Sequence, residues 1–288
     1  MPRDMKIGSI AHEAAPDSEA GSSRRTDFAF AASAPLVRPS FEPRSYPLVG
    51  WATFAVVLAA WQLVAWRQAD AILLPSPIDV ASALYGMMGT GELQADLGAS
   101  LGRLTVGWVI GAGLGALTGF AIGLYPLARS SVLPLVNALF AIPKIALLPV
   151  FIVWLGIGEL SKVTTIAVGV FSPMAIAAYS GMDAVDRNLI RMAQSFSVPT
   201  LAILRKVILP GMLPMLLTGA RISGAIAIVL LVGAEMIAAE NGVGALALTS
   251  GGLMRTDRLF AAVAILGALG LTASWLVGLA ERALLKWR

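Results

Sequence analysis

Cysteine is absent from the 288-residue chain, and histidine occurs once, as His12. The first absence excludes disulfides, thiol nucleophiles, zinc fingers and iron–sulfur clusters. The second leaves no imidazole in the body of the chain for a Ser-His-acid triad or a histidine metal site. No G-x-x-x-x-G-K-[ST] loop is present either, so the chain lacks the loop with which P-loop proteins bind ATP. Charge is scarce: 13% of residues are charged, against roughly 25% in an ordinary soluble domain. That deficit, with 57% hydrophobic residues and a mean hydropathy of +0.80, excludes a soluble globular fold, because a chain this apolar covers its surface only with lipid. The isoelectric point near 9.7 reflects an excess of only four positive charges, with no basic patch interleaved with aromatics, so nucleic acid is not an expected partner.

Residues 1–45 differ from the rest. They hold five of the sixteen prolines, six positive and six negative charges and many Ser and Ala, which reads as a disordered tail. A cleaved signal peptide is not expected, because no apolar run follows the charged start closely. Six apolar segments then meet the requirement of about 20 residues for a helical span: 46–66, 100–125, 131–155, 161–182, 214–238 and 259–280. The third contains Pro134, Pro143 and Pro149 and is expected to be kinked or broken. Placement of Lys and Arg orients the bundle. With a cytoplasmic N-terminus, the inner segments carry Arg129, Arg187, Arg191, Arg205, Lys206, Arg282, Lys286 and Arg288, and the outer ones Arg67, Lys162, Arg255 and Arg258. Both termini are therefore expected inside.

Gly107, Gly111, Gly115, Gly119 and Gly123 recur every fourth residue in the second span. On a helix they form a stripe without side chains, which reads as a close helix contact; the overlapping G-x-G-x-x-A match lacks the strand and βαβ unit of a dinucleotide site. Arg103, Lys144, Arg221 and Glu235 lie in or near apolar segments, where an unpaired charge costs several kcal/mol, so each is expected to face the bundle interior, a cavity or a partner. Arg221 and Glu235, fourteen residues apart, stand about 21 Å apart on one helix and cannot pair within one copy. Lys144 beside Pro143 is a candidate contact for an anion; the alternative is that it snorkels or satisfies a carbonyl of the broken helix. Met182, Met192, Met212 and Met215 read as packing residues rather than a metal path.

The segment 181–214, GMDAVDRNLIRMAQSFSVPTLAILRKVILPGMLP, is hydrophilic for its surroundings, and Leu189, Met192, Ala193 and Phe196 share helical spacing opposite charged residues. Such an element either lies on the lipid interface or docks a soluble partner. It resembles the cytoplasmic coupling loop of permease subunits of binding-protein-dependent ABC importers, whose pattern is E-A-A, three residues, G, nine residues, I-x-L-P. Here the opening is Arg191, Met192, Ala193, the glycine position is Ser197, and the close is Val207, Ile208, Leu209, Pro210. Ser100-Leu101-Gly102-Arg103, Ile142 to Pro149 (IPKIALLP), Trp154 to Glu159 (WLGIGE) and Ala234-Glu235-Met236-Ile237 are similar to the nitrate, alkanesulfonate and taurine branch of that family, and the likeness extends over 72–288.

The resemblance implies an all-α integral membrane protein of six transmembrane helices with the type I, methionine-importer-like (MetI-like) permease fold. Beyond the tail read from composition at 1–45, it implies a permease domain at 46–288 whose coupling loop spans 183–213. Function would be inward movement of a small anion of the alkanesulfonate, taurine or nitrate type, without catalysis in this chain. Two ABC ATPase subunits carrying ATP and Mg would dock on Arg187, Arg191, Met192, Ala193, Ser197, Val198, Pro199, Leu209 and Pro210. A second permease copy would complete a homodimer in the bacterial inner membrane, and a periplasmic or lipoprotein receptor would deliver substrate. Pro210 would end the coupling segment and turn the chain back to the membrane. Arg103, Pro143, Lys144, Arg221 and Glu235 are the pathway candidates. The alternative is a secondary transporter driven by an ion gradient, which calls for inverted repeats and intramembrane acidic relays.

Overall fold

The computed structural model describes residues 47–67 and 73–286; the tail, His12 and Arg288 lie outside them. The chain divides into Met1–Gly50 and Trp51–Arg288, and the packing below is that of the second unit. The described residues form helices and no strand. In chain order these are α1 (Pro47–Arg67), α2 (Pro77–Thr90), α3 (Glu92–Leu124), α4 (Pro126–Ala141), a 3₁₀ turn (Lys144–Leu147) and α5 (Leu148–Leu155). Then follow α6 (Glu159–Asp183), α7 (Arg187–Ser195), α8 (Thr200–Ile203), a π-helical turn (Leu204–Ile208), α9 (Leu209–Ala238), α10 (Val243–Gly252) and α11 (Thr256–Leu284). Among the described residues, five helices are long and apolar enough to cross a membrane, and the bent pair Pro126–Ala141 and Lys144–Leu155 makes a sixth span if taken as one. Its bend of 93° falls at Ile142-Pro143. The prolines act as their chemistry dictates: Pro143 has no N–H to give and its ring excludes the carbonyl four residues back.

The core is α3, α6 and α9. The glycine stripe of α3 lies on α6, and its position explains the spacing. A Cβ added at Gly107 would sit 2.8 Å from Ile166 Cβ, and one at Gly111, Gly115 or Gly119 would strike the backbone carbonyl of Ala167, Phe171 or Ala175. Partners on α6 advance in step with the glycines, so the two helices run in the same direction in close backbone contact. Gly113 faces away, with open space where a Cβ would go. Ile166, Val170, Met174, Ala227, Leu230 and Leu231 fill the centre. A second cluster joins α2, α3, α10 and α11 through Val80, Met87, Leu93, Val243, Leu246, Ala247, Ala261 and Ala262.

Two short helices were not legible as elements in the sequence. The first, α2, opens with a capping box in which Ser76 Oγ accepts from the Asp79 backbone N–H at 3.2 Å and the Asp79 carboxylate accepts from the Ser76 backbone N–H at 2.9 Å. The Ser76 hydroxyl and amide together hold the Asp79 carboxyl below the usual carboxylate range. The second, α10, is a ten-residue apolar helix after α9.

The structure corrects the expectation for Pro210. The chain turns back at Ser197-Val198-Pro199, and from Thr200 to Ala238 it is one continuous 39-residue helix with Pro210 inside it. A proline there collides with the carbonyl of Lys206 in a regular α-helix; the wider π turn at Leu204–Ile208 precedes it and relieves that conflict. Sequence spacing alone places Pro210 after a helix, because the π turn has no signature in composition.

Candidate functional site

The bundle has two ends of different character, and three groups of candidate residues sit at one end, at mid-depth and at the other end. At the first end, α3 and α6 begin, α9 stops and α10 starts. Arg103 and Glu235 come together there: Arg103 Nη1 donates to Glu235 Oε1 at 2.7 Å and to the Asn241 carbonyl at 2.6 Å. The rest of the same guanidinium grips Glu159, with Nε at 2.6 Å and Nη2 at 2.8 Å. Lys162, one turn along α6, donates to Glu159 at 3.0 Å. Glu235 is 0% exposed and Arg103 6%.

Around this pair the backbone amides of the α10 start are taken up in succession. Asp96 accepts from Gly242 N–H at 2.8 Å, Ser100 Oγ from Val243 N–H at 2.9 Å, and Glu235 from Gly244 N–H at 2.9 Å. Ser100 Oγ in turn donates to Glu235 at 2.8 Å. These amides are the orphan donors of a helix start, and side chains of α3 and α9 satisfy them; the positive end of the α10 dipole also favours the buried carboxylates. Gly242 allows the approach: its φ is 134°, and a Cβ on it would lie 2.6 Å from the Glu235 carboxyl carbon and 2.7 Å from Arg103 Nη1. Asp96, Ser100, Glu159, Lys162 and Gly242 are absent from the sequence-based candidates. A signal existed for Ser100 and Glu159, which stand in the stretches SLGR and WLGIGE; these two stretches and AEMI, far apart in sequence, converge on this one network.

At mid-depth is the elbow between α4 and α5. Lys144 Nζ donates to the Phe140 carbonyl at 2.6 Å, the last-turn carbonyl that the break at Pro143 leaves open, and lies 4.8 Å from the centre of the Phe140 ring. Ile145 packs on Gly233 of α9, and Leu230 fills the space beside Gly169 of α6, with the Lys144 Cβ next to it. Arg221 stands apart from both groups, paired with Glu281 of α11 at 2.8 Å. Of the sequence-based candidates, the structure thus joins Arg103 to Glu235, sets Lys144 beside Pro143 at the elbow, and places Arg221 with Glu281 on the α9–α11 seam.

At the second end, α7 follows Asp186, whose carboxylate caps it by accepting from Asn188 N–H at 2.8 Å. Asp183 lies 3.5 Å from Arg129 and 3.6 Å from Arg187, tying the start of α4 to this corner. Ile190, Ala193 and Val198 turn inward onto Ile203, Ile208 and Met212, whereas Leu189, Met192 and Phe196 are exposed. Beside them a groove is lined by Leu189, Met192, Ala193, Lys206, Val207, Pro210 and Gly211. Ser197 closes α7 with φ 55°, in the left-handed region that glycine adopts without strain. This gives a physical reason for glycine in the coupling-loop pattern at the position Ser197 occupies.

Residues 111–286 match the family described as the binding-protein-dependent transport system inner membrane component. The chain belongs to this family. Relatives of this permease include the putative aliphatic sulfonates transport permease protein SsuC of Bacillus subtilis, 34% identical over 81% of this chain and 85% of that protein. The taurine transport system permease protein TauC of Escherichia coli is 34% identical over 82% of this chain and 88% of its own length. The riboflavin transport system permease protein RibX of Chloroflexus aurantiacus is 32% identical over 88% and 97%. Among solved structures, an inward-facing form of the MetNI methionine ABC transporter aligns with a TM-score of 0.54 at 24% identity, covering 69% of this chain and 98% of the matched one. That likeness is one of fold. The permease is thus a multi-pass ABC importer subunit with the expected all-α fold.

Proposed function

We propose that this permease is one half of a homodimeric core in the bacterial inner membrane, both termini cytoplasmic, which imports a small anion of the alkanesulfonate, taurine or nitrate type. ATP and Mg are bound and hydrolysed on two separate ATPase subunits; a periplasmic or lipoprotein receptor presents the substrate. The observation that carries this reading is the α7 corner. Leu189, Met192 and Phe196 make an exposed apolar face on a nine-residue helix whose other face is anchored to the bundle. Such a face is the helix-in-groove type of docking element. Arg187, Arg191, Met192, Ala193, Ser197, Val198 and Pro199 form or border it, and Leu209 and Pro210 lie within the helix that carries its displacement into the bundle. Closure of the ATPases on ATP pulls the α7 corners of both copies, and the stiff 39-residue helix from Thr200 to Ala238 transmits that movement across the membrane.

The anion reading is supported by the sulfonate and taurine transport for which these relatives are named. Copurification tests the partnership: the tagged permease is expected to bring down a P-loop ATPase in equal amount, and a permease that purifies without one contradicts it. Calorimetry on the cognate receptor tests the substrate class. Binding of taurine, alkanesulfonates or nitrate, and none of neutral pyrimidines or riboflavin, is the expected result.

A further inference from the structure

We propose that Lys144 is the charge-selecting residue of the translocation pathway, its ammonium pairing with the negative group of the transported molecule at the elbow between α4 and α5. The inference rests on the anion reading above and adds the residue that enforces it.

Charge balance is the first argument. Of the cations Arg103, Lys144, Lys162 and Arg221, three are neutralised by carboxylates: Arg103 by Glu159 and Glu235, Lys162 by Glu159, and Arg221 by Glu281. Lys144 makes no ion pair among the described residues; its neighbours are the Phe140 carbonyl and ring. A carbonyl takes one of three N–H donors and a ring face softens the field, yet neither cancels a full charge. An ammonium within a span and without a counter-ion is costly, and a passing anion supplies the missing charge.

Depth and exposure are the second. The Lys144 Cβ stands at the level of Gly169, ten residues into α6, so the elbow lies about 15 Å along that helix from its start at 1.5 Å per residue. This is half of a hydrocarbon layer about 30 Å thick. Broken backbone at such depth is tolerated only where protein buries it or where it lines a water-filled cavity. Ala141, Ile142, Pro143 and Ala146 are exposed on this chain. An elbow carrying a full positive charge is suited to the aqueous path, where the ammonium attracts anions and repels cations.

The test uses the assembled importer, permease with its ATPase and receptor, in proteoliposomes, measuring uptake of radiolabelled taurine, ethanesulfonate and nitrate. K144R keeps the charge. K144Q keeps a donor for the Phe140 carbonyl and removes the charge. Uptake by K144R is expected within about threefold of wild type and that by K144Q at least about tenfold lower, the scale of a charged hydrogen bond. Because the chain has no cysteine, K144C offers one addressable thiol, with treated wild type as the control for partner thiols. Uptake by K144C should recover with an aminoethyl methanethiosulfonate, which restores an ammonium, and not with the sulfonatoethyl reagent. K144Q importing as fast as wild type, K144C recovering equally with both reagents, or a K144C thiol that neither reagent reaches overturns the role of Lys144 and leaves anion import standing. A wild-type importer that moves none of these three sulfonate or nitrate compounds overturns the anion reading, and this role falls with it.

Discussion

Arg103 and Glu235, on α3 and α9, meet at 2.7 Å with both side chains buried, and Glu159 of α6 shares the same guanidinium. Three helices and the start of α10 are thereby held by one cation. Removing either member strands a buried charge, which costs about 3–5 kcal/mol. R103M and E235L are each expected to lower the melting temperature of the purified permease sharply, and R103M/E235L to lose less than the sum of the two. Additive losses in that double-variant cycle would show that the pair is not coupled.

The glycine stripe gives a contrast within a single helix. G111A and G119A drive a methyl into the backbone of α6, so both should destabilise by about 1–3 kcal/mol, the usual cost of overpacking. G113A meets open space and should be neutral or stabilising by up to about 1 kcal/mol through helix propensity. Thermal unfolding of the three variants decides it; equal effects at Gly111 and Gly113 would contradict the packing.

Ser197 holds a left-handed conformation at φ 55°, which costs a residue with a Cβ about 1–2 kcal/mol relative to glycine. S197G should therefore stabilise the α7 corner, slowing hydrogen exchange of the 187–199 amides, while S197V should speed it. Faster exchange in S197G would mean that strain at this turn is not what limits the corner.

Arg191 stands where the coupling-loop pattern has Glu, so the docking partner is expected to present an acidic group there. R191E should weaken ATPase association by about fivefold or more, as like-charge contacts at interfaces do, and a reversed charge on the partner should restore it. Unchanged association and uptake would remove Arg191 from the interface.

Long-range order was legible to different depths along the chain. Hydropathy alone located the spans, because about 20 apolar residues have few other fates, and the spacing of Gly107 to Gly123 announced a helix contact though not its partner, α6. Pro143 announced a break but not a right-angled one. The network at Glu235 stayed hidden because Ser100, Glu159 and Gly242 are polar or small residues scattered over three elements, and only the closure of α10 onto α3 brings them together. Arg221 and Glu235 were correctly kept apart by helix geometry, yet their true partners, Glu281 and Arg103, lie on other helices that the sequence does not align. Pro210 misled for a related reason: the π turn that accommodates it depends on backbone hydrogen bonding that composition does not encode.

The central claim is that this chain moves an anion only as part of an ATP-driven assembly. Uptake of radiolabelled taurine or ethanesulfonate into proteoliposomes holding the permease, with ATPase, receptor and ATP each omitted in turn, tests it most directly. The account predicts uptake in the complete mixture and background levels when any one of the three is missing. Uptake by the permease alone, driven by an ion gradient without ATP, would contradict it.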